Sequence, residues 1–397
     1  MLGVNGRGLA VEVIVDLHAP GVDRIFHYEV PAELEGRIRP GHRVLVPFGR
    51  REAIEGYVVG FAGQPAPGPL KPLIRLLDEE PVLGEAEIRV AAWMRDYYLC
   101  PLVQALQCFL PPGSRIRSAR RAKPAVELRC AVADEGRARE ALAALERRAP
   151  KQAALLRLLL GAGSPLPVAE ALRRAGAGRT SLRALVEQGL VVQAAAEVVR
   201  DPFPRSGPRR APFTLNRGQR DALEQIAAAL GSGRPARFLL EGVTGSGKTE
   251  VYLQAIDACL RLGKGAILLV PEIALTPQTV AAFQGYFGSG VAVLHSRLSQ
   301  GERYDQWWRL RRGEVKIAVG ARSAVFAPVR DLGLIVVDEE HETSYKQEES
   351  PRYHAREVAW ARVREAGGVL VLGSATPSLE SRALAEEGGC VHLRLAE

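Results

Sequence analysis

Hydrophobic and polar positions change period along this chain, and each change marks a boundary. From about residue 9 to residue 63 apolar and polar residues alternate, with turn residues between the runs. A period of two belongs to half-buried strands, so strands are predicted over 9–17, 25–30, 42–47 and 57–61, in a small β-rich domain. A Pro/Gly stretch, 63–72, then leads to an amphipathic helix over about 85–99. The segment 113–123, with Arg115, Arg117, Arg120 and Arg121, reads as a solvated basic linker. Beyond it, helical patterns over 151–160, 167–175 and 179–188 are separated by Gly-Ala-Gly turns and followed by Leu190-Val191-Val192. Three short helices and a strand pair outline a winged helix, with Arg179, Thr180 and Arg183 on the candidate recognition helix. DNA and protein stay equally open as its ligand.

A second linker, Pro- and Arg-rich, covers 201–212. From Phe213 strands alternate with helices, the signature of a parallel sheet covered on both faces. Strands are predicted over 238–240, 266–270, 291–294, 315–319, 334–337 and 369–372. Thr276-Pro277 and Thr376-Pro377 each read as an N-cap followed by proline at the first helical position, and Ser299 with Glu302 as a capping box. The expected organisation is therefore multidomain: a β-rich domain in 1–113, a winged helix in 114–200, a linker in 201–212, and an α/β lobe in 213–397.

The chain has 397 residues and 47% hydrophobic content, enough for two to four packed domains. No apolar run approaches a membrane span, and the first strand alternates rather than forming a signal-peptide core, so no membrane association is expected and the cytoplasm is the expected compartment. Net charge is +8, and only seven of the 53 basic residues are lysine. Arginine suits bidentate phosphate contacts, which points to nucleic acid, although genome composition produces the same skew. The five cysteines contain no C-x-x-C pair, which argues against a zinc site or a disulfide framework and fits a reducing compartment.

Chemistry concentrates in two stretches. Gly242-Val243-Thr244-Gly245-Ser246-Gly247-Lys248-Thr249 follows a strand-like run and opens a helix bearing Val251, Ile256, Cys259 and Leu260. That is the setting in which G-x-x-x-x-G-K-[ST] forms a P-loop. Its glycines let main-chain N–H groups turn toward phosphates at a helix N-terminus, with Lys248 on the phosphates and Thr249 on Mg²⁺. Four apolar residues, Leu334 to Val337, precede Asp338-Glu339-Glu340-His341. They read as a buried strand delivering Asp338 to Mg²⁺ and Glu339 to an attacking water. Cradle and acids are expected at neighbouring strand tips. A metal-ligand reading of Asp338, Glu339, His341 and His354 ranks below this one, since no H-E-x-x-H spacing exists. In the N-terminal domain, Phe26-His27-Tyr28 with Phe48-Gly49 and Lys71 could stack a base and meet a phosphate; packing of Phe26 and Tyr28 on one strand face is the competing reading.

Six motifs then fall in order: Thr214-Leu215-Asn216 with Gln219, GVTGSGKTEVY from Gly242, PEIALTPQ from Pro271, VGARSAVFAPV from Val319, DEEHETSYKQ from Asp338 and GSATPS from Gly373. Together they resemble superfamily 2 helicases, specifically the PriA family of bacterial replication restart helicases, over essentially the whole chain. The resemblance implies a small DNA-binding domain, a winged helix and a RecA-like first motor lobe. It implies that Gln219 reads adenine, that Gly242, Thr244, Gly245, Ser246, Gly247, Lys248 and Thr249 hold ATP and Mg²⁺, and that Lys248, Asp338 and Glu339 are catalytic. Segments 271–278 and 320–323, with Arg322, would hold a single strand. Tyr345, Lys346, Arg352 and Tyr353, in an aromatic-rich loop, would stack on and track it. His341, Ser374 and Thr376 would couple hydrolysis to strand movement.

By the same resemblance, Phe26, His27, Tyr28, Gly49 and Lys71 would capture the 3-prime end of a nascent strand, with His27 standing where the family pattern has an acid. The implied activity is an ATP-dependent 3-prime-to-5-prime DNA helicase that recognises stalled or abandoned forks and initiates primosome assembly. Implied partners are forked and single-stranded DNA, 3-prime ends, primosome proteins and single-stranded-DNA-binding protein, with the chain a monomer. The chain is expected to be the N-terminal portion of such a helicase. The arginine finger, second lobe and zinc-binding cysteines belong to the remainder, so this polypeptide by itself is expected to bind ATP weakly and not to unwind DNA. Two other classes compete: a fork-binding and loading module that uses nucleotide only as a switch, and an unrelated P-loop ATPase acting on protein or RNA.

Overall fold

Val11, Val13 and Val15 share one face and are sealed inside one small core, while Ile14 on the opposite face is buried in a second. They belong to β1 (Ala10–Val15), which pairs with β2 (Phe26–Glu29); β3 (Arg43–Phe48), β4 (Arg51–Phe61) and the short β5 (Arg75–Leu76) complete the sheet. It is antiparallel, in the order β2-β1-β4-β3-β5. The structure, a computed structural model, describes residues 9–17, 21–49, 51–64, 68–113, 125–198 and 213–395.

Two helices follow, α1 (Glu85–Tyr98) and α2 (Leu102–Cys108). The second is too short for a periodic pattern and is not predicted. Both pack on Ile14 and Tyr57 of their own sheet and at the same time join the core of the C-terminal lobe. The Phe109 ring meets Phe326 edge-on at 4.9 Å, Trp307 Nε1 donates to Phe109 O at 3.3 Å, and Arg311 pairs with Glu87 at 3.1 Å. The described residues of 9–113 and 213–395 therefore form one compact unit.

Residues 125–198 form the other unit: β6 (Ala125–Val132), α3 (Glu135–Arg148), α4 (Pro150–Gly161), β7 (Leu166–Pro167), α5 (Val168–Ala175), α6 (Arg179–Glu187) and β8 (Val191–Val198). Helices α4, α5 and α6 with the antiparallel sheet β7-β6-β8 give the winged-helix outline. Strand β6 and helix α3 are additions; α3 buries only Ala138 fully, too thin a stripe to read from sequence. Arg179, Thr180 and Arg183 are exposed on α6, and Arg183 pairs with Glu187 at 2.8 Å. The basic linker beyond Gly113 and the linker 201–212 lie outside the described residues.

The lobe runs α7 (Arg217–Ser232), β9 (Ala236–Glu241), α8 (Lys248–Arg261), β10 (Gly265–Leu269), α9 (Pro277–Phe287), β11 (Val291–Leu294), α10 (Gln300–Arg311), β12 (Ile317–Gly320), β13 (Leu332–Val337), α11 (Ala355–Ala366), β14 (Val369–Ser374), α12 (Leu379–Glu386) and β15 (Val391–Arg394). Its seven strands are parallel, in the order β11-β12-β10-β13-β14-β9-β15. From β9 through β14 alternate residues enter different cores, which is why these strands read as continuous apolar runs. Leu239, Ile267, Ile335 and Leu370 face a core shared with α1, α2 and α11. Phe238, Leu268, Val336 and Val371 face the core under α7 and α8.

Thr276 caps α9 and Ser299 with Glu302 forms the capping box of α10, as predicted. Thr376 is not a cap. Helix α12 starts two residues later, with Ser378 as N-cap, because the Glu340 carboxylate takes Ser378 N at 2.7 Å and Ser374 Oγ takes Thr376 N at 3.0 Å. The chain thus stays extended past Pro377. No helix of the described residues is long and apolar enough to cross a membrane.

Candidate active site

The loop from β9 to α8 turns at Gly245 and Gly247, with φ of +88° and +82°, a region costly for any L side chain. At Gly247 a Cβ would also lie 2.2 Å from Gln219 Nε2. That approach lets Gln219 donate to Ser246 O at 2.8 Å. The Gln219 Oε1 accepts from Asn216 N at 2.9 Å, completing the capping box of α7. Gln219, expected on adenine, is thus a brace between α7 and the phosphate loop, with both ends of its amide engaged.

Lys248 opens α8 and is 7% exposed. Its Nζ donates to Gly242 O at 2.7 Å and lies 3.8 Å from Glu339 Oε1. Ser246 Oγ is buried with no hydrogen-bond partner among the described residues. An orphaned donor, a buried ammonium and the N-terminus of a 14-residue helix together fit a polyphosphate. Thr244, Gly245 and Thr249 are exposed at the mouth.

The acids arrive from β13, where Asp338 N donates to Leu269 O at 2.9 Å. Strand β14 lies between β9 and β13, so cradle and acids are not on adjacent strand tips; the GSAT segment sits between them. Glu339 has φ of +45°, an uncommon conformation for a residue with a side chain. Burial, and then the charge of Glu339, push the Asp338 carboxyl above its ordinary range, against the hydrogen bond from Tyr252 and the nearby Lys248. A carboxylate crowded in this way suits a hard divalent cation.

The predicted coupling residues form a string. Glu339 Oε2 lies 3.7 Å from His341 Nδ1, His341 Nδ1 is 2.7 Å from Ser374 Oγ, and Ser374 Oγ accepts from Thr376 N. Two members were missed. Tyr252, fully buried on α8, donates to Asp338 Oδ1 at 3.0 Å, and a Cβ at Gly373 would fall 1.6 Å from its hydroxyl oxygen. Glu340 turns inward to Arg356, Ser378 and Ser381. Both occur inside the quoted motifs, but a tyrosine at helical spacing reads as core and a third acid in a row reads as solvated.

Tyr345 and Tyr353 depart from expectation. They are 1% and 5% exposed, and neither presents a ring face on which a base could stack. Tyr345 donates to Asp338 O at 2.7 Å, and Tyr353 meets Phe326 edge-on at 4.8 Å; both rings are absorbed by the core to which α1 and α2 contribute. Lys346 and Arg352 are exposed, with Lys346 Nζ 5.6 Å over the Tyr98 ring. Arg322 Nη1 donates to Ser344 O at 3.0 Å and Lys346 O at 2.6 Å, strapping the loop to the segment after β12. His354 caps α11, its Nδ1 accepting from Arg356 N at 3.2 Å.

Residues 12–111 match the 3'DNA-binding domain (3'BD) model of PriA, and residues 216–384 match the DEAD/DEAH box helicase model. The chain is 40% identical to the replication restart protein PriA of Bacillus subtilis (strain 168), over 95% of this chain and 54% of that protein. It is 39% identical to the protein of the same name from Chlamydia trachomatis, over 94% of this chain and 49% of that one. The chain belongs to the PriA family. It spans about half the length of the curated relatives it matches. Among solved structures, RecG bound to a three-way DNA junction is similar over 47% of this chain and 24% of that chain, with 26% identity and a TM-score of 0.37.

The PriA 3'DNA-binding match covers the sheet β1–β5 with α1 and α2. Within it, Tyr28 is buried and donates to Pro47 O at 3.1 Å, and Phe26 meets Phe48 edge-on at 5.1 Å. These contacts bring the turn at Gly49 beside β2, and Glu29 N donates to Lys71 O at 3.0 Å. The five predicted residues are therefore gathered around one strand, but on two faces. Phe26 and Tyr28 take the core face, as the packing reading requires, and His27 lies opposite, 4.0 Å from Glu12. Among the five, exposed side chain remains chiefly at Lys71 and partly at Phe26 and His27.

Proposed function

We propose that this chain supplies the DNA-recognising modules and the phosphate-binding lobe of an ATP-dependent, 3-prime-to-5-prime DNA helicase that recognises stalled or abandoned replication forks and initiates primosome assembly. The observation that carries this reading is the unbroken polar line from Gly242 O through Lys248, Glu339 and His341 to Ser374. Lys248 and the loop from Gly242 to Thr249 hold the triphosphate, and Glu339 orients the attacking water. A Mg²⁺ ion held by Thr249 and Asp338 would neutralise charge on the outer phosphates. Gln219 braces the loop and reads adenine when its amide is released from Ser246 or Asn216. Ser374 and Thr376 feel the state of the acids through His341. Single-stranded and forked DNA lie against Arg322, Lys346 and Arg352, and a 3-prime end lies near Phe26, His27 and Lys71. Primosome proteins and single-stranded-DNA-binding protein are the proposed protein partners.

Two measurements test it. Fork binding should weaken by about a thousandfold between about 50 and 200 mM salt if about six phosphates are held; binding indifferent to salt would point to a protein ligand instead. Tyr345→Phe keeps the buried ring and deletes only the donor to Asp338 O, a bond worth about 1 kcal/mol. The ratio of DNA-stimulated to basal ATP hydrolysis should fall about fivefold, the kinetic equivalent of that energy. An unchanged ratio would reduce the hydroxyl to a packing partner.

A further inference from the structure

Helix α8 carries Lys248 and Thr249 on its first turn and Tyr252 on its second. Tyr252 is 1% exposed and belongs to the core under α7 and α8, with Phe238, Val336 and Val371. Its hydroxyl leaves that apolar company. It donates at 3.0 Å to Oδ1 of Asp338, just past the carboxyl end of β13, although β14 stands between β9 and β13. The crossing is open because the β14 residue beside it is Gly373, where any Cβ would lie 1.6 Å from the hydroxyl oxygen and 2.7 Å from Cζ. A phenylalanine would fill the same space with no polar atom to bury. The acid, not the core, therefore calls for the hydroxyl.

The main chain of Asp338 is already held, its N by Leu269 O and its O by the Tyr345 hydroxyl. What remains free is rotation of the carboxylate, and among the described residues Tyr252 is the side chain that hydrogen-bonds it. We propose that Tyr252 is a positioning residue for the Mg²⁺ ion: by occupying Oδ1 it fixes that rotation and leaves Oδ2 to meet the cation or a water of its shell. A group that orients a metal ligand in this way commonly sets metal affinity by about ten- to hundredfold. The inference rests on the nucleotide and Mg²⁺ reading above. It adds a second route from α8 to the cation, beside Thr249, and gives the glycine of the GSAT segment a physical reason.

The test compares the full-length helicase, second lobe included, with its Tyr252→Phe variant, which keeps the ring and deletes the donor. Affinity for a fluorescent ADP analogue is titrated in EDTA and in saturating Mg²⁺, and thermal unfolding is followed on the same preparations. Binding in EDTA should agree within about threefold, since Lys248 and the phosphate loop are untouched. The factor by which Mg²⁺ tightens binding should drop about tenfold, and the Mg²⁺ concentration that half-saturates hydrolysis should rise by a similar factor. A merely structural hydroxyl would lower the melting temperature and weaken both bindings alike. An unchanged Mg²⁺ factor, whatever the melting temperature, overturns the positioning role and leaves the nucleotide site standing. If Mg²⁺ does not tighten the analogue on the unaltered protein, the cation reading falls and the positioning role falls with it.

Discussion

Replacing Lys248 with alanine in the full-length helicase, second lobe included, is expected to slow ATP turnover by about a thousandfold, the scale of removing a preorganised charge from a reacting site, while leaving fork binding nearly intact. The Nζ sits between a carbonyl of the loop, Gly242 O, and the Glu339 carboxylate. An incoming phosphate would therefore meet an ammonium already desolvated and already held, with little left to reorganise. Alanine removes that charge, and it also leaves Glu339 without its cation beside an Asp338 that burial already disfavours as an anion. The nucleotide should then bind more weakly and the acids should repel it. The DNA contacts proposed for β2 and for Arg322 do not touch Lys248, so anisotropy with forked DNA should change little. Steady-state hydrolysis, titration of a fluorescent ATP analogue and fork binding, measured on the same preparation, separate the three effects. A parallel loss of fork binding would contradict the division of labour between the modules.

The sequence was most legible where one residue type has one physical use. The fully buried run of β10 could only be an inner strand, and Gly245 and Gly247 could turn only one way. It was least legible where sidedness or strand order matters. Tyr345 and Tyr353 are aromatics among cations, the composition of a stacking surface, yet their rings point inward because a core partly built from α1 and α2, more than two hundred residues upstream, is there to receive them. No local period reveals that helices following one sheet will cover the face of another. Strand order is equally silent. That β14 separates β9 from β13 follows from pairing across the whole lobe, and it explains why His341 meets Ser374 rather than the phosphate loop. The missed cap at Ser378 has the same origin, since its decisive partner is Glu340, 38 residues away.

Glu340→Ala is expected to lower the unfolding free energy by about 3–5 kcal/mol, the cost of removing one partner from a buried ion pair. Glu340 is 1% exposed. Its Oε1 accepts from Ser378 N at 2.7 Å; its Oε2 accepts from Ser378 Oγ at 3.0 Å, from Ser381 Oγ at 2.7 Å and from Arg356 Nη1 at 3.1 Å. One carboxylate therefore ties the acid loop to the first turns of both α11 and α12. Alanine leaves Arg356 with Glu357 Oε1, at 3.0 Å, as its remaining carboxylate partner and strands the amide that opens α12. Glu340→Gln should lose less, because its carbonyl oxygen can keep the Ser378 amide, but its NH₂ would then face donors. All four tryptophans, Trp93, Trp307, Trp308 and Trp360, fall in the unit that contains this network, so the urea midpoint read by their fluorescence reports its unfolding without interference from 125–198. A midpoint for Glu340→Ala equivalent to less than about 1 kcal/mol would mean that the network is solvated and the pair worth only what surface pairs are worth. The ranking of the two variants carries a functional corollary. Ser374 and Thr376 lie on the stretch that Glu340 anchors at Ser378, so Glu340→Gln, still folded, should keep its basal hydrolysis and lose part of its stimulation by DNA.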